Sequence, residues 1–352
     1  GAPAESFKIT LRADANGYVT FPSGIRPALA FDTSSAVLTD GRYEIASSLT
    51  DVGLLKLAPN GPATGTVKGK VADNPTDASV LVVAEVGGVG HTAIAGRDGE
   101  YAILNVPVGA ASVQAYARGH NYVGKDVDVS AGVATEVNLD LSSAAASTVA
   151  GSVSIVNGQL GEGTSVILVV ESTFKAALAR GETPPGLRAP EPGEAPTIDG
   201  AFSITGVPAG RYVVLAAFEN DNLVRDESGI GGTAIVHQEV IAGQDVEIGE
   251  GFKVTGSVDI VGPGATTPET VTGTPTFTWL DDSSEDRYEV TVFDSYGNIV
   301  WEAGTPKSVV TLTYAGPPLE AGMYYQFRVA SIKDPAEVIS RSEDLKGVFV
   351  LP

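Results

Sequence analysis

The side chains best suited to acid–base or metal chemistry in this chain are its three histidines, His91, His120 and His237. An imidazole acts as a general base or a metal ligand only when a nucleophile, a carboxylate or further ligands stand close to it. No two of the histidines have metal-ligand spacing, and neither Gly-x-Ser-x-Gly nor His-Glu-x-x-His occurs. We therefore interpret them as structural or solvent-facing and predict no catalytic residue, no metal site and no cofactor. The sequence does not exclude a catalytic triad assembled from residues that are distant along the chain.

The densest group of carboxylates is the run Asp-Asp-Ser-Ser-Glu-Asp at residues 281–286. Several hard oxygen ligands at this density suit Ca²⁺. The spacing is not that of an EF-hand loop, and the run lies between two predicted strands. We favour a solvated loop over a calcium site.

Arginines and aromatic residues are the usual anchors of binding interfaces. Phe174, Arg180 and Arg188 fall in a segment that lacks a strand pattern, and Trp301 follows a predicted Gly-Asn turn. We name these four as candidate binding residues. For the first three, the alternative is a mobile loop without a partner. For Trp301, packing at the rim of its domain competes with stacking on a sugar ring or a peptide side chain.

Composition limits the partners further. The chain of 352 residues has 43 acidic and 22 basic side chains, a net charge of −21, so it repels nucleic acid and anionic membrane surfaces. It has no cysteine, which excludes disulfides and thiol chemistry. No apolar run is long enough to span a bilayer. Because the chain opens Gly-Ala-Pro, we expect a processed product, with a possible lipid anchor upstream.

The elements that must position these residues are β-strands. Residues 80–84 and 166–170 are uninterrupted apolar runs, typical of strands buried on both faces, while 112–117 and 135–141 largely alternate. Near the N-terminus, segments 7–11 and 18–21 flank Asn16-Gly17 and predict a hairpin. Residues 173–180 predict a short helix with Ser172 or Thr173 as N-cap, and the proline-rich stretch 184–196 is expected to stay outside the sheets.

A three-part signature occurs twice: a Val-x-Gly-x-Val strand, an Asp-Gly turn followed by an aromatic residue, and a Val-Pro-x-Gly turn. The first copy is centred on Gly69, Asp98-Gly99 and Pro107, and the second on Gly151, Asp199-Gly200 and Pro208. The aromatic residues after the turns, Tyr101 and Phe202, are expected in the core. The second copy has about 19 extra residues between its first glycine and its turn, which defines an insertion at 172–196.

The two copies resemble the carboxypeptidase regulatory-like domain, a transthyretin-like β-sandwich, over residues 64–141 and 147–250. Such modules serve as accessory spacers and binding domains, so the resemblance implies a fold more than a function. The last hundred residues resemble a fibronectin type III-like domain. Trp279 matches its core tryptophan, and Tyr325 matches its tyrosine corner.

We therefore predict an all-β chain of tandem Ig-like/transthyretin-like β-sandwiches with a fibronectin type III-like C-terminal domain. The predicted units are a small N-terminal β unit (1–62), two regulatory-like sandwiches (63–143 and 144–252) and the C-terminal sandwich (253–352). The expected function is that of a non-enzymatic exported protein, at the cell surface, anchored to the outer membrane or periplasmic. Its modules are expected to stack as a rod for adhesion, scaffolding or assembly, with an unknown protein or glycan as partner. Two alternatives stay open: a carbohydrate-binding protein, in which Trp301, Tyr122 and Tyr101 stack on sugars, and the accessory region of a larger secreted hydrolase.

Overall fold

The computed structural model describes residues 8–10, 12–22, 30–32, 37–39, 42–44, 54–72, 79–158, 162–192, 194–217, 221–226, 234–249, 251–282, 284–344 and 346–352. These residues form β-strands joined by turns, with two single-turn 3₁₀ helices at Glu171–Thr173 and Ala176–Leu178. The predicted all-β class is confirmed. In the described part of the chain, no helix has the length and hydropathy needed to cross a bilayer.

The N-terminal strands are β1 (Lys8–Thr10), β2 (Ala30–Asp32), β3 (Val37–Thr39) and β4 (Arg42–Glu44). β1 pairs with β2, and β3 pairs with β4. The predicted hairpin between 7–11 and 18–21 is therefore wrong, because β1 takes a partner further along the chain. Asn16 and Gly17 do form a turn, which an antiparallel bridge between Ala13 and Phe21 encloses. Phe7 and Leu11 lie outside the described residues.

The first sandwich packs two sheets around one core. Their orders are β11-β9-β6-β7 and β12-β5-β8, and residues from both, such as Val82, Val113, Val67 and Ile103, share one apolar cluster. Its strands are β5 (Thr64–Lys70), β6 (Leu81–Val86), β7 (Val89–Ile94), β8 (Glu100–Pro107), β9 (Gly109–Tyr116), β10 (Asn121–Tyr122), β11 (Lys125–Val129), β12 (Ala134–Glu136) and β13 (Leu141–Ser142).

The second sandwich repeats this plan with sheets ordered β17-β14-β22-β19 and β16-β15-β18-β20, while β21 pairs with β14. Phe202, Phe252, Leu168 and Tyr212 bring both sheets into one core. The last strand spans the predicted boundary at 252/253 and pairs with β14 and β19. The strands are β14 (Ser147–Asn157), β15 (Val166–Val170), β16 (Arg188–Ala189), β17 (Gly200–Val207), β18 (Gly210–Ala216), β19 (Leu223–Arg225), β20 (Val236–Val240), β21 (Val246–Glu247) and β22 (Phe252–Gly256).

The C-terminal sandwich has sheets ordered β23-β25-β28 and β24-β31-β29-β26-β27, with β30 on β29. Trp279 is buried in its core as predicted, and the hydroxyl of the buried Tyr325 accepts the Glu320 N–H at 2.8 Å, closing the predicted tyrosine corner. The strands are β23 (Ile260–Gly262), β24 (Glu269–Thr270), β25 (Thr276–Trp279), β26 (Arg287–Asp294), β27 (Ile299–Pro306), β28 (Thr311–Thr313), β29 (Tyr324–Lys333), β30 (Glu337–Arg341) and β31 (Val348–Val350).

The insertion of the second sandwich differs from the predicted helix. It makes two 3₁₀ turns because Ala179 adopts a left-handed conformation, with φ of 50°, and the Lys175–Arg180 bridge turns the chain back. The Thr173 hydroxyl also donates to Val170 O and accepts the Glu182 N–H, which fixes the first turn. The proline-rich stretch contributes β16 to a sheet, contrary to expectation.

Close packing requires the glycine in each Val-x-Gly-x-Val strand. An ideal Cβ on Gly69 would lie 1.9 Å from the Val137 carbonyl oxygen, and one on Gly151 would lie 2.9 Å from the Phe202 ring. The chain that runs beside each signature strand therefore leaves no room for a side chain. This explains why both copies carry glycine there.

We expect Gly69→Ala to lower the free energy of unfolding by about 1–3 kcal/mol, because the methyl group must displace a backbone carbonyl. Gly249→Ala is the control, since a Cβ there meets nothing within 4 Å, and we expect it to change stability by less than about 0.5 kcal/mol. Denaturant unfolding of both variants measures the difference. Equal effects at the two glycines would contradict the steric explanation.

Each of the two central sandwiches uses the same corner to contact the unit before it. Asn105 has a φ of 59° and Gly206 a φ of 73°, and each stands just before its Val-Pro turn. The Asn105 amide donates to Ala15 O in the N-terminal segment, and Gly206 O accepts the Gly119 N–H of the first sandwich. The repeated signature therefore repeats an interface as well as a fold.

The C-terminal sandwich also contacts the N-terminal segment. The Tyr296 hydroxyl donates to Lys56 O at 2.9 Å, and Leu55 packs against the C-terminal core. The second sandwich reaches the C-terminal one through Arg180, which pairs with Asp344. The contacts between units therefore close a ring, and the predicted rod is wrong, because the last unit touches the first.

Two acidic residues lie at the junction of the second and C-terminal sandwiches. Asp221 accepts the Thr164 hydroxyl at 2.8 Å, and the buried Glu343 accepts the Asn222 N–H at 2.7 Å. Burial raises the pKa of Asp221 to about 6, and the charge of Glu343 adds to this, against opposing hydrogen bonds from Thr164 and Leu223. The folded protein thus holds a proton on Asp221 more tightly than the unfolded chain does.

The stabilising contribution of Asp221 is therefore fully present below about pH 4 and is lost as the pH rises through about 6. We measure the free energy of unfolding of Asp221→Asn relative to that of the parent protein at each pH. We expect this difference to favour the variant by about 1 kcal/mol more at pH 7.5 than at pH 4.5, a value reduced for solvent screening. Denaturant unfolding at both pH values measures this. Asp128→Asn, at an exposed position, is the control, and a pH-independent effect of Asp221→Asn would contradict the prediction.

Candidate binding cleft between the two central sandwiches

A polar cleft of about 620 Å³ lies between the first and second sandwiches. One wall comes from β6 and β9, and the other from β18, β20 and the start of the insertion. The side chains that can carry chemistry in it are Glu85, Gln114, Tyr116, Glu171, Arg211 and Glu239. None of these six was predicted from the sequence, because each wall belongs to a different sandwich. Tyr122, which was expected to stack on a sugar, also lines the cleft.

Tyr116 contributes to the cleft from the first sandwich and packs on the second. Its ring meets Tyr212 edge to face at 5.9 Å, and a Cβ on Gly210 would lie 2.8 Å from its Cε1. Tyr116 is only 7% exposed, and its hydroxyl has no hydrogen-bond partner among the described residues. Burial, and then the charge of Glu85, raise the pKa of Tyr116 to about 12. The hydroxyl is therefore neutral at physiological pH and lies within reach of the Glu85 charge.

Glu171 organises the charged wall of the second sandwich. It pairs with Arg211 Nε and with His237 Nδ1, both at 2.6 Å, and the Phe174 ring meets the imidazole edge to face at 6.4 Å. A carboxylate fixes an imidazole in this way by accepting its Nδ1–H. Arg211 balances the charge of Glu171, so this pair adds little net charge to the cleft.

Two further carboxylates are not balanced. Glu85 lies near the end of β6 and Glu239 near the end of β20, on opposite walls, and both are exposed. Within the described ranges, neither carboxylate has an ion pair or a hydrogen bond. The cleft therefore carries excess negative charge beside a neutral phenol. Such a site can bind a positively charged group and donate or accept single hydrogen bonds.

The candidate residues of the insertion do not come together. Phe174 packs against the second sandwich, and Arg180 pairs with Asp344 of the C-terminal sandwich at 3.1 Å. Arg188 donates to Pro190 O and to Ser165 Oγ within its own sandwich. The insertion is thus a contact surface toward other parts of this chain. A role of these three residues toward an outside molecule stays a prediction.

Trp301 lies at the rim of the C-terminal core, with Tyr314 at 4.9 Å and Phe277 at 6.3 Å. It is half-buried, and its role in binding also stays a prediction. Tyr101 and Tyr122 are each 5% exposed. The ring of Tyr101 lies inside the core of the first sandwich, so its expected role as a sugar-stacking face is wrong. Tyr122 lines the cleft between the two central sandwiches, and its role toward a sugar stays a prediction.

The other predicted chemical groups have internal partners or are buried. Burial, and then Lys175, lower the pKa of His91, while His120 Nδ1 lies 3.0 Å from Arg118 O. In the acidic run, Asp282 accepts the Ser331 hydroxyl at 2.6 Å. Among the described residues, no three His, Asp or Glu side chains converge as a metal site, and Ser283 of the run lies outside them.

The similarity of this chain to known proteins is low. No family model and no curated protein matches the chain. Among solved structures, the Bacillus anthracis TIE protein is similar with a TM-score of 0.19 and 10% identity, covering 99% of this chain and 58% of its own. A minor pilin of Streptococcus agalactiae has a TM-score of 0.23 and 11% identity, covering 59% of this chain and 100% of its own.

Fibronectin(III)-like modules of Clostridium thermocellum have a TM-score of 0.19 and 13% identity, over 58% of this chain and 89% of theirs. This chain thus spans 58% of the length of the TIE protein. Because these TM-scores are all below 0.5, the class of the protein rests on its own sheets. Those sheets and the cleft define a multi-domain β-sandwich protein with a polar site between two sandwiches.

Proposed function

We propose that this chain is a non-enzymatic, exported multi-domain surface protein that acts in adhesion, scaffolding or assembly. The observation that carries the proposal is the closed ring of contacts among its four units. Domains of one chain move relative to each other by default unless their interfaces are strong. Here the N-terminal segment, both central sandwiches and the C-terminal sandwich are joined by hydrogen bonds, ion pairs and apolar packing. A body held in this way presents its loops and its cleft in a fixed arrangement, which suits binding of a protein or glycan partner.

The resemblance of the central sandwiches to carboxypeptidase regulatory-like domains belongs to this proposal, because such modules serve as spacers and binding domains. The net charge of −21 fits a protein that stays soluble and separated from anionic surfaces outside the cell. Display at the cell surface or in the periplasm completes the proposal.

The proposal is tested in the producing organism. We expect protease treatment of intact cells to remove the protein, and we expect deletion of its gene to reduce attachment or assembly at the cell surface. Re-expression of the full chain is the control and restores the phenotype. Recovery of the protein only from the cytosolic fraction, together with unchanged attachment, would overturn the proposal.

A further inference from the structure

We propose that the cleft between the two central sandwiches binds a lysine or arginine side chain of an extended segment of a partner protein. This inference names the chemistry of the partner and rests on the proposed binding role. It depends on three features of the cleft, which come from two different sandwiches.

The first feature is the pair of unbalanced carboxylates. Glu85 and Glu239 stand on opposite walls, and within the described residues both lack a partner for their side chains. Arg211, the basic residue among the cleft lining, already pairs with Glu171. A cationic side chain in the cleft therefore meets two carboxylates that form no ion pair within the described residues, although Glu239 stands opposite Arg211 in the register of β18 and β20. Hydrogen bonds between a cation and a carboxylate are about twice as strong as neutral ones.

The second feature is the Tyr116 hydroxyl. The residue is more than nine-tenths buried and held by Tyr212 and Gly210, yet its hydroxyl has no partner among the described residues. The oxygen itself is not fully buried, and Tyr116 lines the cleft, so the hydroxyl opens into the cleft. An ammonium or guanidinium N–H beside Glu85 can donate to this oxygen in place of water. The hydroxyl is therefore a second polar contact for a ligand, separate from the acidic residues.

The third feature is the edge of the sheet. β20, which carries Glu239, is the last strand in the order β16-β15-β18-β20, and in the described part of the chain it pairs only with β18. An exposed edge strand leaves alternate backbone N–H and C=O groups free to pair with an added extended segment. This favours a peptide over a small cation as the occupant. The net charge of −21 attracts such a basic segment over longer distances.

The test measures fluorescence anisotropy of a labelled peptide of alternating alanine and lysine, with the full chain as the binding protein. The same peptide with acetylated lysines controls for charge. We expect binding of the lysine peptide, and at least tenfold weaker binding of the acetylated one. We expect Glu85→Gln and Glu239→Gln each to weaken binding about five- to tenfold.

The matched controls are Glu100→Gln and Glu247→Gln, which remove the same charge from exposed positions outside the cleft. They should change binding less than about twofold. Tyr116→Phe should weaken binding about threefold to fivefold while leaving the unfolding transition unchanged, because the lost hydroxyl has no partner in the described structure. A purely structural role for Tyr116 would not give this combination.

Two results would overturn the inference: no binding of the lysine peptide, or equal weakening by the cleft and control variants, which indicates general charge attraction. These results are distinct from failure of the proposed function. A protein that mediates attachment but does not bind the peptide refutes the cleft alone. A protein that binds the peptide through Glu85 and Glu239 but is confined to the cytosol refutes the surface role alone.

Discussion

Trp279→Ala is expected to destabilise the C-terminal sandwich by about 3–5 kcal/mol. The indole is 1% exposed, lies on β25 and meets the Tyr288 ring edge to face at 5.4 Å. Alanine leaves a cavity that the β-strands on either side cannot close, because their spacing is fixed by hydrogen bonds to neighbouring strands. Denaturant unfolding, with amide hydrogen exchange to locate the loss, measures the effect.

Two further variants test whether the loss comes from the buried Trp279 ring. Trp279→Phe should cost less than the alanine variant, because the ring volume is largely kept and the buried indole N–H has no partner among the described residues. Trp301→Ala is the matched control, since Trp301 is only half-buried at the rim of the same core. We expect a loss of about 1–2 kcal/mol there. Equal losses at Trp279 and Trp301 would contradict the assignment of Trp279 as the central core residue.

Asp344→Ala is expected to destabilise the protein by about 3 kcal/mol and to loosen the junction between the second and C-terminal sandwiches. Asp344 pairs with Arg180 of the insertion and with Arg328 on β29, both at 3.1 Å. All three side chains are no more than 15% exposed. Removing the carboxylate takes away an ion-pair partner that the two guanidinium groups share, so their mutual repulsion and desolvation are less well compensated at the junction.

Denaturant unfolding measures the stability change, and small-angle scattering measures the expected expansion of the molecule. Asp140→Ala is the control, because its pair with Lys125 is exposed and should contribute less than about 1 kcal/mol. A double-mutant cycle with Arg180→Ala tests the pair itself, and we expect a coupling of at least about 1 kcal/mol. Unchanged scattering together with an effect no larger than that of Asp140→Ala would refute a role of Asp344 in joining the sandwiches.

The strands were predictable because their patterns are local. The run at 166–170 is buried along its whole length, as an uninterrupted apolar run predicts. Tyr101 and Phe202 follow tight turns and enter the two cores, as the repeated signature predicted. The insertion was harder to predict. Residues 173–180 have helix propensity, but the bridge between Lys175 and Arg180 and the left-handed conformation of Ala179 prevent a continuous helix.

The residues of the candidate site were not predictable in this way. Glu85 and Glu239 are ordinary exposed acids near strand ends, and Tyr116 has the pattern of a core residue in an alternating strand. No motif links them, since they are brought together only where two sandwiches meet. Only the insertion could be recognised from the sequence, because its extra length indicated a contact surface. That length did not indicate that its contacts are with other parts of the same chain.

Local sequence patterns were sufficient to predict the all-β class, the repeated strand-and-turn units and the aromatic residues of their cores. These depend on periodicity, turn chemistry and packing among residues close together in the chain or within one sandwich. The ring of units, the partners of Arg180 and the cleft with its unbalanced carboxylates became visible only once the units were packed together. Those features arise from the fit between surfaces of separately folded units, and no local pattern of residues encodes that fit.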